Sequence, residues 1–362
     1  MNSGQKGCVV LYMANNIRIK NIYYMLSYAY QSLNEAGMKS IAAEEFQNIH
    51  DLLAAILVKG VSNQVKRGLY KDYVNTEEVL GNLKGRIDIT GSIKMQTQLY
   101  RRMLCRFDNF SEDTVLNRIL KSAMTLLLRH GNVSQENKKS LRKLLLYFNG
   151  VKDIDPLDID WSSVRFHRNN STYKMLINIC QLVIKGLLLT TDDGQYKLSA
   201  YLDDQRMYKL YEKFVLNYYK KEHPQYSASA SFIDWDTNDD KTMLPLMKSD
   251  ITLTYGDSTL IIDTKYYGRT WQTNDLYGSK SIISANMYQI YTYVKNKDKE
   301  KSGKVSGVLL YAKTDEQITP DNDYIIGGNL ISVRTLDLGA DWTSIVEQLD
   351  SLCDILHRSN VL

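Results

Sequence analysis

Proline is scarce: four in 362 residues, with no low-complexity run, argue against a long disordered linker. Cysteine is as sparse. Cys8, Cys105, Cys180 and Cys353 lie far apart and form no C-x-x-C, which excludes the usual zinc spacings and fits reduced thiols in a cytosolic protein. The five histidines are scattered, so neither a His-based metal site nor a His-containing triad can be assembled. No apolar run approaches the ~20 residues that a membrane-spanning helix needs. The apolar start, Cys8–Met13, is too short for a signal segment and reads as part of an extension ahead of the first helix. A cytoplasmic protein without membrane contact is therefore expected. No G-x-x-x-x-G-K-[ST] occurs, so the chain itself is not expected to hydrolyse a nucleotide. The formal charge of +4 is too small to mark a nucleic-acid binder without a clustered patch.

What is present is ordinary globular text with an excess of tyrosine, 26 in all, most simply explained by packing at half-buried positions. The length favours two domains, each with room for a core. The polar segment Asp153–Arg168, which holds Pro156, is the natural boundary, dividing residues 1–165 from 166–362.

One stretch carries chemistry. Met247–Tyr267 reads as two strands alternating polar and apolar residues, broken at Gly256-Asp257. A two-residue turn opening with Gly predicts a hairpin. Closing it there places Tyr255 opposite Ser258 and, by continuation, Asp250 opposite Asp263. Period two puts Ile251, Leu253, Leu260 and Ile262 on one face and Asp250, Thr252, Ile261, Asp263 and Lys265 on the other. Carboxylates directly across an antiparallel pair repel. A divalent cation between them would remove the objection, because hard oxygen ligands suit Mg²⁺.

Asp250 followed by Asp263-Thr264-Lys265 resembles the PD-(D/E)xK nuclease signature, with Ser249-Asp250 in place of the Pro-Asp pair. Over almost its whole length the chain also resembles the McrC family, the nuclease subunits of McrBC modification-dependent restriction systems. Arg67–Tyr73, Gly81–Asp88 and Asn117-Arg118 carry that likeness in the N-terminal half, although Gly81–Asp88 is equally well read as a structural turn. The resemblance implies an N-terminal mixed α/β interaction domain followed by a restriction-endonuclease-like domain, a central mixed sheet flanked by helices. It implies Mg²⁺, with Mn²⁺ as a substitute, held by Asp250, Asp263 and the Thr264 carbonyl, with Lys265 stabilising developing charge. Gln289 and Tyr293, four apart on one helix, resemble a Q-x-x-x-Y element that holds the lysine or supports the site. Glu212, on the helix before the first strand, is either a further acidic site residue or an exposed helical glutamate.

The implied partners are a hexameric AAA+ GTPase of the McrB type, which binds the GTP and is stimulated by residues 1–165, and double-stranded DNA containing methylated or hydroxymethylated cytosine. Two other readings stand beside this one: an adaptor with a decayed nuclease fold, against which the joint presence of Asp250, Asp263 and Lys265 argues, and a nuclease acting without a motor, against which the large N-terminal half argues.

Elsewhere, helical spacing predicts helices over 21–30, 51–60, 111–130 (capped by Ser111, with acids in its first turn), 134–148, 172–189, 202–222, 280–294 and 341–357. Strands are expected among residues 70–89, over 226–235 and the hairpin, and over 305–312 and 329–334, with a turn at Asp192–Gly194.

Overall fold

The computed structural model describes residues 17–30, 41, 44, 46–190, 196–199, 204–266, 271–273, 280–313, 316 and 319–358. The N-terminal extension and the turn at Asp192–Gly194 lie outside them. Two compact units result, one made of Met1–Glu35, Ala42–Gln47 and Ala200–Leu362, the other of Ala36–Ile41 and Asn48–Ser199. The boundary expected at 165/166 therefore falls inside the second unit. Its polar segment is tied down there: Lys121 pairs with Asp153 at 2.9 Å, and the Tyr70 hydroxyl meets His167 at 3.0 Å. The first helix, α1 (Ile19–Ala29), belongs with the C-terminal residues. Tyr24 of α1 stacks on Trp342, and the Asn21 amide donates to the carbonyls of Leu338 and Ala340.

In the Asn48–Ser199 unit, α2 (Ile49–Arg67) is capped by Asn48, whose side chain accepts from the Asp51 amide. Then come β1 (Asp72–Leu80), β2 (Arg86–Ile87), α3 (Ile89–Lys94) and β3 (Met103–Ser111), forming an antiparallel sheet in the order β1-β3-β2. Ile89, expected in a strand, opens α3 instead, because the Asp88 carboxylate caps it by accepting from Gly91 N–H. The helix expected from Ser111 starts later, as α4 (Val115–His130). Ser111 is used to end β3, Thr114 is the cap, and Asp113 stays outside the first turn to clasp the Arg118 guanidinium with both carboxylate oxygens. Next is α5 (Gln135–Leu145), capped by Ser134, whose side chain accepts from the Asn137 amide. In place of one helix over 172–189, α6 (Tyr173–Gln181) passes into a π-helical turn at Leu182–Leu187 and then into β4 (Leu188–Thr190), paired with β5 (Tyr196–Leu198).

The other unit continues with α7 (Asp204–Glu222), then β6 (Phe232–Ile233) and β7 (Met247–Lys248), which pair with one another. The strand expected over 226–235 thus shrinks to two residues and a bridge between Ser229 and Thr252. After these come β8 (Ile251–Tyr255), β9 (Ser258–Lys265), β10 (Trp271–Thr273), β11 (Lys280–Ile282), α8 (Ser284–Lys297), β12 (Val305–Ala312), β13 (Asn322–Ile326), β14 (Asn329–Leu336) and α9 (Trp342–Arg358). Five strands form a mixed sheet in the order β13-β14-β12-β9-β8, with β9, β12 and β14 parallel and both edge strands antiparallel.

The central strands β9 and β12 are buried along their whole length, as strands covered on both faces must be. Ile290, Tyr293 and Val294 of α8 close over Ile261, Leu309, Tyr311, Ile331 and Val333. Gly307 lets the helix approach: a Cβ there would sit 2.7 Å from the Ile290 side chain and 2.8 Å from that of Val294. The Asn286 amide donates to the Tyr311 hydroxyl at 2.8 Å and fixes the start of α8 along β12. The helices α7 and α9 pack on β8 and β9.

Candidate active site

The hairpin has the register its sequence predicts, from Tyr255–Ser258 to Ile251–Ile262, with Gly256 at φ +57° in the first turn position. One feature differs. The ladder ends one pair before Asp250 would face Asp263, because the chain at Ser249 turns toward Ser231: the Ser249 amide donates to the Ser231 carbonyl, and its hydroxyl accepts from the Ser231 amide. Left at the edge of the ladder, the Asp250 carboxylate takes the place of a main-chain acceptor. Its Oδ2 receives both the amide and the hydroxyl of Thr264, each at 2.8 Å. The period-two pattern had sent the Thr264 side chain away from Asp250, and only the end of the ladder brings them together.

Asp263 and Lys265 project from β9 toward α8, as alternate residues of one strand must. Both are nearly sealed, at 1% and 5% side-chain exposure, and Lys265 Nζ approaches Asp263 Oδ2 at 2.5 Å. The two form a buried ion pair, in which the ammonium is the partner of Oδ2. Burial pushes the Asp263 carboxyl up to about 6; the negative charges of Asp250 and Glu212 add to this, and Lys265 opposes it. From α8, Gln289 Oε1 accepts from Lys265 Nζ and Gln289 Nε2 donates to the Tyr293 hydroxyl, both at 3.0 Å. The i, i+4 spacing of Gln289 and Tyr293 thus makes a short relay ending on Lys265.

Glu212 is half-buried on α7, and its carboxyl is raised by burial and by the charge of Asp250. It is felt by the pair but does not join it: among the described residues, no three His, Cys, Asp or Glu side chains gather as a metal-holding group. Six residues named from the sequence therefore meet here (Asp250, Asp263, Thr264, Lys265, Gln289 and Tyr293), with Glu212 at their margin. Two neighbouring carboxylates, one of them nearly sealed and matched by a single lysine, suit a hard divalent cation better than they suit an apolar core.

Cys105, Cys180 and Cys353 are buried free thiols. Among the described residues no helix is long and apolar enough to cross a membrane.

Comparison with known proteins finds relatives over nearly the whole chain. A methyl-directed type IV restriction enzyme of Escherichia coli K12, EcoKMcrBC, is 28% identical over 343 residues, 93% of this chain and 97% of that protein. Among solved structures, a chain from the half-complex of the tetradecameric assembly of Thermococcus gammatolerans McrB AAA+ hexamers with bound McrC superposes with a TM-score of 0.51. It is 19% identical, and the match covers 93% of this chain and 76% of that one, a likeness of fold. The model of the McrBC 5-methylcytosine restriction system component family matches residues 12–312, and the chain belongs to that family.

Proposed function

We propose that this chain is the DNA-cleaving subunit of a GTP-dependent restriction complex, its nuclease centre being a PD-(D/E)xK site formed by β9 and the residue just ahead of β8. The substrate is DNA containing methylated or hydroxymethylated cytosine, and the partner is an AAA+ GTPase hexamer of the McrB type. That partner binds the GTP, recognises the modified base and is stimulated by this chain. Convergence of Asp250, Asp263, Lys265 and Gln289 carries the nuclease reading. The family, and the McrB hexamers bound in the structural relative, support the partner.

Asp250, Asp263 and the Thr264 carbonyl would hold Mg²⁺, or Mn²⁺ in its place. Such an ion, when bound, supplies Lewis acidity at the phosphate and a more acidic water. The chain's own groups do the rest. Lys265 provides a fixed positive charge where negative charge develops on the phosphate, strengthened by the dry surroundings. Gln289 keeps that ammonium aimed, since its Oε1 accepts from Lys265 while its Nε2 is committed to Tyr293. Tyr293, accepting from Gln289, keeps its own proton to donate to a DNA phosphate.

Replacing Asp250, Asp263 or Lys265 by Ala in the assembled complex should each abolish cleavage of modified DNA while association with the GTPase survives. Wild-type cutting by any of the three would remove the site.

A further inference from the structure

We propose that the Thr264 side chain, the middle residue of D-x-K, is a positioning residue for Asp250. Its hydroxyl fixes one carboxylate oxygen so that the other is presented to a divalent cation. This rests on the nuclease-site reading above and adds to it a residue that acts through Asp250.

The geometry makes the case. Thr264 is fully buried, and its amide and hydroxyl converge on the same atom, Asp250 Oδ2, at 2.8 Å each. Two donors on one oxygen stop the carboxylate from rotating, and bonds to an ionised acceptor are the strong ones. No donor among the described residues reaches Oδ1, which is therefore the oxygen free to ligate. The main chain of Asp250 is fixed as well. Ser249 is 1% exposed and hydrogen-bonded to Ser231, and its hydroxyl also lies 2.7 Å from that of Thr252. With both backbone and carboxylate held, Asp250 stays in place beside Asp263 despite their like charges. Groups that hydrogen-bond a ligating carboxylate typically contribute roughly 10–100-fold to metal affinity or activity.

Valine keeps the shape of threonine and removes the hydroxyl; serine keeps the hydroxyl and removes the methyl. Mn²⁺ is titrated calorimetrically into the full chain carrying Thr264→Val, Thr264→Ser or neither change, with Asp250→Asn/Asp263→Asn as the reference for site-specific binding. The expected result is Mn²⁺ affinity reduced at least ~10-fold in Thr264→Val and restored in Thr264→Ser, with both variants folded and the metal-free melting temperature of Thr264→Val the lower of the two, because it loses a buried hydrogen bond. In the complex, Thr264→Val should lower kcat and leave the KM for DNA unchanged. A valine variant that binds Mn²⁺ like the wild type overturns the proposal. So does a serine variant as weak as valine, since the hydroxyl is then not what matters. If the Asn/Asn reference binds Mn²⁺ as tightly as the wild type, the nuclease-site reading itself falls and takes this inference with it.

Discussion

At Asp263 the sequence has placed an acid where water hardly reaches, beside Asp250 and within the field of Glu212. Its carboxyl therefore holds a proton up to about pH 6, against an ordinary value of 3.8. Since the folded form binds this proton more tightly than the unfolded chain does, metal-free stability is highest below pH 3.8 as far as this group is concerned, and it is lost as pH rises through about 6. The full effect is about 3 kcal/mol, at about 1.4 kcal/mol per pK unit. Melting curves in chelator between pH 4.5 and 7 should show this fall in the wild type and a flatter profile in Asp263→Asn; equal slopes would mean that Asp263 is no more strained than an exposed acid. A cation bound by the two carboxylates favours the folded state by RT ln(1 + [L]/Kd). Millimolar Mg²⁺ or Mn²⁺ should thus raise Tm in the wild type and not in Asp250→Asn/Asp263→Asn. That double variant, free of metal, should be at least as stable as the metal-free wild type, because the carboxamide oxygen introduced at position 250 can still accept from the Thr264 amide. A shift that survives both substitutions would come from ions bound elsewhere.

The elements that bring these residues together are a hairpin and one helix, and they were legible to different degrees. Local rules sufficed for the hairpin: Gly256 at the turn and period-two alternation gave the register from Tyr255–Ser258 to Ile251–Ile262. The end of the ladder was not legible, because what diverts Ser249 is Ser231, a partner 18 residues away. The same reason hid β3, whose partner β1 begins at Asp72 opposite Ser111, and it left Ser111 looking like a helix cap when a strand had already claimed it. Gln289 and Tyr293 could be paired from their spacing, but their distance from Lys265 depends on how closely α8 lies on β12, and that is set by Gly307. A methyl at this position has no room between Ile290 and Val294. Gly307→Ala should therefore cost about 1–3 kcal/mol of overpacking, lowering Tm by about 2–4 °C for each kcal/mol in a domain of this size. By moving α8 it should also reduce cleavage through loss of the Gln289–Lys265 bond. Unchanged cleavage in a measurably destabilised Gly307→Ala would show that Gln289 tolerates displacement and has no aiming role.

For the whole molecule, the division into two compact units matches the two duties proposed for it. The site lies entirely within the unit that contains Ala200–Leu362, whereas Asn48–Ser199 form a unit with its own sheet and helices and none of the site residues. Without a phosphate-binding G-x-x-x-x-G-K-[ST] loop, the isolated chain should hydrolyse neither GTP nor ATP. Added to the AAA+ GTPase it is proposed to serve, it should raise that enzyme's turnover, and the stimulating surface is assigned to the Asn48–Ser199 unit. That unit exposes apolar side chains on its sheet and the adjoining helix, among them Tyr73, Phe110, Ile89 and Ile93, and a monomer has little reason to leave so many uncovered. Asp263→Ala should then stop cleavage while leaving the stimulated GTPase rate intact. Charge reversal at exposed positions of β1 should do the opposite in an uncoupled assay, lowering the GTPase rate while leaving the cation-induced Tm shift unaltered. Measuring both activities on the same two variants decides the matter: if Asp263→Ala, still folded, loses stimulation, the activating surface lies in the nuclease unit and the two duties are not divided along the chain's own boundary.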